Sequence, residues 1–195
     1  MRHFVIAAVV SALFAGLMWI GWGYYRDFLT QGSRPSYSVQ KLNAIEQGGA
    51  PQFSLPDPNG KVHSLSEFAG KVIIINFWAS WCDPCVEEFP SLLNLVEKFK
   101  GEVVLVAVSG DHNEKELKQF LRVFDFNKPG VQVLWDKELK VAGQYGTQVL
   151  PESYILSKRG RMVKKVVGID KWDTPEAFRF FEELVRETDK RSEGD

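Results

Sequence analysis

Thiols and imidazoles are scarce in this chain, which has two cysteines and three histidines among 195 residues. A structural zinc site takes about four ligands, and beyond Cys82 and Cys85 only His3, His63 and His112 remain. The reading is therefore that no metal is held. Excess charge of either sign is also missing, with 24 Lys and Arg against 25 Asp and Glu and a net charge of −1. No broad basic field is left to attract nucleic acid. Charge is absent altogether from Phe4 to Tyr25, a stretch long enough to cross a bilayer as one helix. A secreted leader would carry a small-x-small cleavage site after a shorter apolar core. Ala-x-Ala is absent after Ala15, and bulky Trp19, Trp22, Tyr24 and Tyr25 stand there instead, as aromatic side chains do at a membrane interface.

These absences set the organisation. Residues 1–25 are expected to be a retained transmembrane anchor, in contact with lipid through residues 4–25. Arg2 and the free amine on the short leading side keep the N-terminus in the cytoplasm. The remainder then lies outside the inner membrane, in the periplasm or its Gram-positive equivalent. At 45% hydrophobic and 25% charged, the chain can build one core plus this appendage, so one domain is the default. Residues 26–49, with breakers at Gly32-Ser33-Arg34-Pro35-Ser36 and Gly48-Gly49, read as a tether off the membrane. Residues 50–188 form the domain, and the charged tail 189–195 is expected to be frayed and disordered.

What is present centres on Phe77-Trp78-Ala79-Ser80-Trp81-Cys82-Asp83-Pro84-Cys85, which joins the apolar run from Val72 to an amphipathic segment from Asp83. Two thiols separated by two residues at a helix start can close and reopen a small disulfide ring. The helix N-terminus favours the thiolate through its unpaired N–H groups and positive dipole end. Pro84 suits the first helical turn, where a missing N–H is no loss. A half zinc site and a plain structural disulfide are the rival readings. The second would close so short a loop that it constrains the unfolded chain little. In an exported domain, where disulfides persist, a chain with no further cysteine uses its one pair for chemistry rather than as a staple. Cys82 precedes the helix, is expected to be the more exposed sulfur, and is assigned as the attacking nucleophile; Cys85, one turn inside, is the resolving thiol.

The segment from Asn76 to Cys85, followed by Glu87-Glu88-Phe89-Pro90, resembles the active-site segment of thioredoxin-fold proteins. It is most similar to the membrane-anchored TlpA/ResA (CcmG/DsbE-like) thiol–disulfide oxidoreductases, over about Gly49 to Arg186. The resemblance implies a cis-proline opposite the cysteine pair. That role falls on Pro151 of Leu150-Pro151-Glu152, whose neighbouring backbone pairs with a substrate polypeptide, Leu150 included. It also implies a functional glutamate at Glu88, one helical turn after Cys85, able to shuttle protons. Asn76 departs from cytoplasmic thioredoxins, which place a buried aspartate there; asparagine cannot titrate, so Glu88 gains weight. Asp83 puts a negative charge beside the thiolate, against the helix dipole, and so favours a more reducing couple. Trp81 is read as a surface aromatic of the docking face and Trp78 as core.

Along the chain, Pro51 to Leu55 and Val62 to Leu65 flank a turn-rich Pro56-Asp57-Pro58-Asn59-Gly60 and read as a β-hairpin, with His63 on the surface. Val72–Trp78 is a central parallel strand, Asp83–Lys100 a helix kinked at Pro90, and Val103–Val108 the next strand. Leu117, Phe120, Leu121 and Phe124 predict a helix over 114–126 capped by Asn113, with His112 a solvated loop residue. Val131–Trp135 is a third strand, Lys137–Tyr145 a helix, Ser153–Ser157 and Met162–Val167 a hairpin, and Pro175 opens a last helix capped by Thr174. The order is an α/β thioredoxin fold, a central mixed sheet flanked by helices, with an N-terminal β-hairpin and an inserted strand–helix.

The function expected is an exported reductase of protein disulfides. By resemblance, its partners are apocytochrome c haem-site cysteines or a copper-site dithiol, and a membrane electron donor of the DsbD/CcdA type. No dissolved cofactor is needed, because the cysteine pair carries two electrons. One rival is a peroxiredoxin-like peroxidase, whose reactive cysteine lies in a Thr-x-x-Cys setting, where this chain has Ala79. Another is a copper chaperone of the Sco type, which spaces its cysteines by three and adds a histidine.

Overall fold

A computed structural model describes residues 1–31 and 36–187, so the expected tail 189–195 lies outside the described residues, as do 32–35. The chain divides into two units, Met1–Ser36 and Tyr37–Asp195. The first holds one helix, α1 (Arg2–Gln31), in which Arg2–Asp27 is long and apolar enough to cross a membrane by length and composition.

In the second unit, α2 (Tyr37–Gly48) opens the fold. This corrects the reading of 26–49 as a tether: α1 runs on to Gln31, and Ile45 of α2 is buried in the core. The physical reason is a short apolar stripe. Leu42 and Ile45 share one helix face and pack with Phe53 and Tyr145, while Gly48 falls at the last position of the helix rather than inside it. Gly49, at φ 84°, ends it by donating to the Ile45 carbonyl, the left-handed cap that glycine adopts without strain. The compact unit therefore starts at Tyr37, not at residue 50.

A small antiparallel pair follows, β1 (Ser54–Pro56) and β2 (Val62–Ser64). His63 is buried rather than on the surface, because Glu67 and Asp57 enclose it: Nδ1 lies 2.9 Å from one carboxylate and Nε2 lies 3.7 Å from the other. The main sheet comprises β3 (Val72–Trp78), β4 (Val103–Ser109), β5 (Val131–Trp135), β6 (Glu152–Leu156) and β7 (Met162–Val167), in the order β5-β4-β3-β6-β7. β3, β4 and β5 are parallel, and β6 and β7 each run antiparallel to their neighbours. All seven residues of β3 and of β4 are buried, as befits strands covered on both faces. Their side chains alternate between two cores. Val72, Ile74, Trp78, Leu105 and Ala107 face α3 (Asp83–Phe99) and α6 (Pro175–Glu187); Ile73, Ile75, Phe77, Val104 and Val106 face α2 and α5 (Lys140–Tyr145).

The β3-α3-β4 half and the β6-β7-α6 half are those of a thioredoxin fold. The inserted pair is α4 (Glu114–Phe120) with β5. α4 is shorter than its spacing predicts. Phe124 and Phe126 leave the helix yet still pack on Phe89, with ring centroids 6.0 and 5.1 Å away, so aromatic burial is satisfied without helix. α5 starts at Lys140 rather than Lys137, because the Asp136 carboxylate accepts the N–H groups of Lys140 and Ala142 at 3.0 and 2.9 Å and Leu139 turns left-handed at φ 54°.

Candidate active site

The sheet presents the site at the end of β3. Beyond Trp78, which is fully buried against Phe89, the chain leaves the sheet for three residues and enters α3 at Cys82, its N-cap. Pro84 lies in the first turn, as expected. Cys82 and Cys85 form a disulfide with Cα atoms 5.3 Å apart, and the Cys85 N–H points at Cys82 Sγ from 3.3 Å. The two cysteines differ little in burial. Cys82 is 5% exposed and Cys85 1%. Trp81 is exposed beside them, and so is Asp83.

Glu88 lies one turn beyond Cys85 and is buried. Its Oε1 accepts the Trp172 indole N–H at 2.5 Å and the Asp170 backbone N–H at 3.3 Å. Its Oε2 accepts Asn76 Nδ2 at 3.4 Å, and the same amide nitrogen donates to Ser153 Oγ at 2.9 Å across the β3–β6 pairing. Burial pushes the carboxyl up to about 7, with the three neutral donors pulling the other way. The charge-free donors stabilise the carboxylate less than a cation would, so the group sits where it can gain or lose a proton near neutral pH.

The Leu150–Pro151 peptide bond is cis. Pro151 is buried just before β6, and its carbonyl accepts the Gly168 N–H at 2.9 Å, which sets Val167 and Ile169 next to it. Leu150, half-buried, touches both cores. Beside Pro151, Glu152 is buried and paired with Lys165 at 2.9 Å.

The structure thus brings Cys82, Cys85, Glu88, Asn76 and the Leu150–Pro151 bond to one end of the sheet. Sequence reasoning missed Trp172 and Asp170, which lie more than 80 residues from Glu88 along the chain. The available signal was a tryptophan in a loop between an edge strand and the last helix. It missed as well the apolar rim of Val149, Val167 and Ile169, all exposed, because isolated apolar residues on a surface are ordinary.

Comparison with known proteins agrees with this geometry. The AhpC/TSA family pattern matches residues 47–165. The chain belongs to this family. Within the AhpC/TSA family it is similar to the thiol-disulfide oxidoreductase ResA of Bacillus subtilis, at 36% identity over 66% of this chain and 70% of that protein. ResA of Bacillus cereus is 36% identical over 61% of this chain and 68% of its own length. Among solved structures, a protein assigned as the thiol:disulfide interchange protein DsbE of Chlorobium tepidum superposes with a TM-score of 0.63. It is 28% identical and covers 70% of this chain and 95% of that one. This AhpC/TSA member is accordingly a thiol–disulfide oxidoreductase of the ResA type, and α1 fits a membrane anchor.

Proposed function

We propose that the protein reduces disulfides in other proteins on the outer side of the cytoplasmic membrane, with the Cys82–Cys85 pair as its only redox group. The observation that carries this reading is the pair at the α3 N-terminus with buried Glu88 one turn behind it. In the reduced protein the Cys82 thiolate attacks a substrate disulfide. A mixed disulfide forms and one substrate sulfur leaves as thiolate. Cys85 then gives its proton to the Glu88 carboxylate and attacks Cys82 Sγ. The second substrate sulfur leaves, and two electrons have passed to the substrate. The exposed rim of Trp81, Val149, Val167 and Ile169 offers an extended polypeptide apolar contact on either side of its disulfide, and the backbone at Leu150–Pro151 offers strand-like pairing.

Asp83 sets a like charge beside the Cys82 thiolate and so disfavours the reduced form, which suits a donor of electrons. An electron supply is then required, and a membrane dithiol carrier of the DsbD/CcdA type is assigned that part. The likeness to thiol-disulfide oxidoreductases and a thiol:disulfide interchange protein supports exchange chemistry. Oxidised apocytochrome c haem-site cysteines are the substrate proposed, with a copper-site dithiol as the second. Ala79, three residues before Cys82, speaks against a peroxidatic setting, and the two-residue spacing speaks against a Sco-type copper site.

The reading is tested by trapping. Reduced Cys85→Ser chain, mixed with an oxidised apocytochrome c peptide, is expected to accumulate a mixed disulfide through Cys82, whereas Cys82→Ser accumulates none. Adducts at Cys85 in the Cys82→Ser chain, or none in either variant, overturn the assignment.

A further inference from the structure

The loop that carries Trp81 and Cys82 is fastened from the side by a second buried carboxylate, which takes no part in the cysteine and Glu88 constellation. Asp111 follows β4 and is fully buried. Both of its oxygens accept the Ser80 backbone N–H at 3.1 Å, and Oδ1 also accepts the Ser80 hydroxyl at 2.7 Å. Ser109 Oγ donates to Oδ2 at 2.7 Å. Asp111 is itself pinned: its N–H donates to Ser109 Oγ at 3.1 Å, and its carbonyl accepts Trp135 Nε1 at 2.6 Å. One residue earlier, Gly110 N–H donates to the Trp78 carbonyl at 2.8 Å. A Cβ on Gly110 would lie 2.7 Å from Leu139 Cδ2, so a larger residue here would displace the end of that side chain.

The placement of these bonds carries the inference. Pairing between β3 and β4 ends at Trp78 and Ser109, and the Asp111 contacts extend the attachment two residues further, into the loop. A buried carboxylate is stable only when its lone pairs are used, and here the partner that uses most of them is Ser80. In the oxidised protein Cys82 is also tied to α3 by the disulfide. When that bond opens, the Cys82 carbonyl still accepts the N–H groups of Cys85 and Val86 at 3.0 and 3.2 Å, and on its upstream side Cys82 is held by its own loop. Cys82 N–H to the Ala79 carbonyl, at 3.1 Å, makes the loop short and stiff, so fixing Ser80 fixes Cys82.

We infer that Asp111 is a positioning residue for thiol exchange: by gripping Ser80 it keeps Trp81 and Cys82 at the α3 N-terminus after the disulfide has opened. The inference rests on Cys82 being the attacking sulfur. The ionisable side chains around the pair are Asp83 and Glu88 on α3, Asp111 after β4, Glu152 after Pro151, and Asp170 and Lys171 after β7. Replacing Ser80 removes none of these charged groups and takes only one donor from Asp111, so Ser80→Ala loosens the clamp while every ionisable side chain stays in place.

The experiment follows alkylation of Cys82 by iodoacetamide against pH in the reduced full-length chain in detergent micelles, read by mass spectrometry. Loss of the clamp lets the sulfur drift from the helix N-terminus. Asp111→Asn is therefore expected to move the midpoint up by about half a unit or more. Ser80→Ala, which keeps the backbone N–H contact, moves it up by less, and Ser80→Thr, which keeps the hydroxyl, restores the wild-type midpoint. An unchanged midpoint in both Asp111→Asn and Ser80→Ala overturns the inference. So does a lowered midpoint in Asp111→Asn, which would mark Asp111 as a repelling charge rather than a clamp. Should Asp111→Asn not fold, Ser80→Ala against Ser80→Thr decides alone. A wild-type chain in which Cys85 reacts ahead of Cys82 overturns the functional reading itself, and this inference with it.

Discussion

Glu88 couples the chemistry of the site to the stability of the fold. In the folded chain its carboxyl titrates near 7, against 4.5 as its ordinary value, so between those limits the folded state holds a proton that the unfolded state has released. By linkage this contribution favours folding most at low pH and is lost as pH rises through about 7. The gap corresponds to on the order of 3 kcal/mol. Denaturant unfolding of the chain from Tyr37 onward is expected to show stability falling between weakly acidic and weakly alkaline pH, and Glu88→Gln should flatten that slope. The sign reverses for activity, since the carboxylate form accepts the Cys85 proton. Resolution of the mixed disulfide should therefore speed up as pH rises through about 7, and Glu88→Gln should slow it roughly 100-fold. A variant that resolves at the wild-type rate would remove Glu88 from the proton path. The position of Glu88 was legible from its spacing to Cys85. Its environment was not, because Trp172 and Asp170 reach it through the tertiary fold, and Asn76, which reads as merely non-titrating, proves to be a donor to it.

Helices and strands were legible where the apolar pattern is long and unbroken. Val72–Trp78 is apolar at six of seven positions and was placed correctly, as was α3, whose stripe runs through Phe89, Leu93 and Val96. Legibility failed where a few residues carry the packing. α2 has Leu42 and Ile45 and little else to turn inward, too short a signal to separate a docked helix from a tether. The structure gives that helix a measurable weight: Ile45 is 2% exposed and packs with Phe53 and Tyr145. Ile45→Ala should destabilise the chain from Tyr37 onward by about 2–4 kcal/mol, the range for truncating a buried isoleucine. Calorimetry or denaturant unfolding checks it, and a change under about 0.5 kcal/mol, the range of surface substitutions, would return 37–49 to the status of a tether. At the end of α4 the error ran the other way. Phe124 sits at helical spacing from Phe120 and Leu121, but its ring is packed by a turn, since burial and not backbone period decides its fate.

For the whole molecule the decisive quantity is the direction of electron flow, which the fold alone leaves open because the same two-cysteine helix start serves reductants and oxidants. Three features bear on it. The N–H of Cys85 and the α3 dipole favour a Cys82 thiolate, and so the reduced form. Exposed Asp83 opposes them from the first turn. Glu88, buried without a cation among its hydrogen-bond donors, adds negative charge as it ionises and so opposes a second anion on Cys85. Two of the three disfavour thiolates, so the couple should be reducing, with a midpoint near or below about −220 mV, in the range of thioredoxin and glutaredoxins. Equilibration of the full chain in thiol/disulfide buffers, followed by the fluorescence of Trp78 and Trp81, measures it. A value nearer about −120 mV, that of a strong disulfide donor, would differ by on the order of 5 kcal/mol for two electrons. That difference is larger than one exposed aspartate can supply in water. Such a result would place the helix N-terminus above the carboxylates in setting the potential, and it would reverse the proposed flow from reduction of partner proteins to their oxidation.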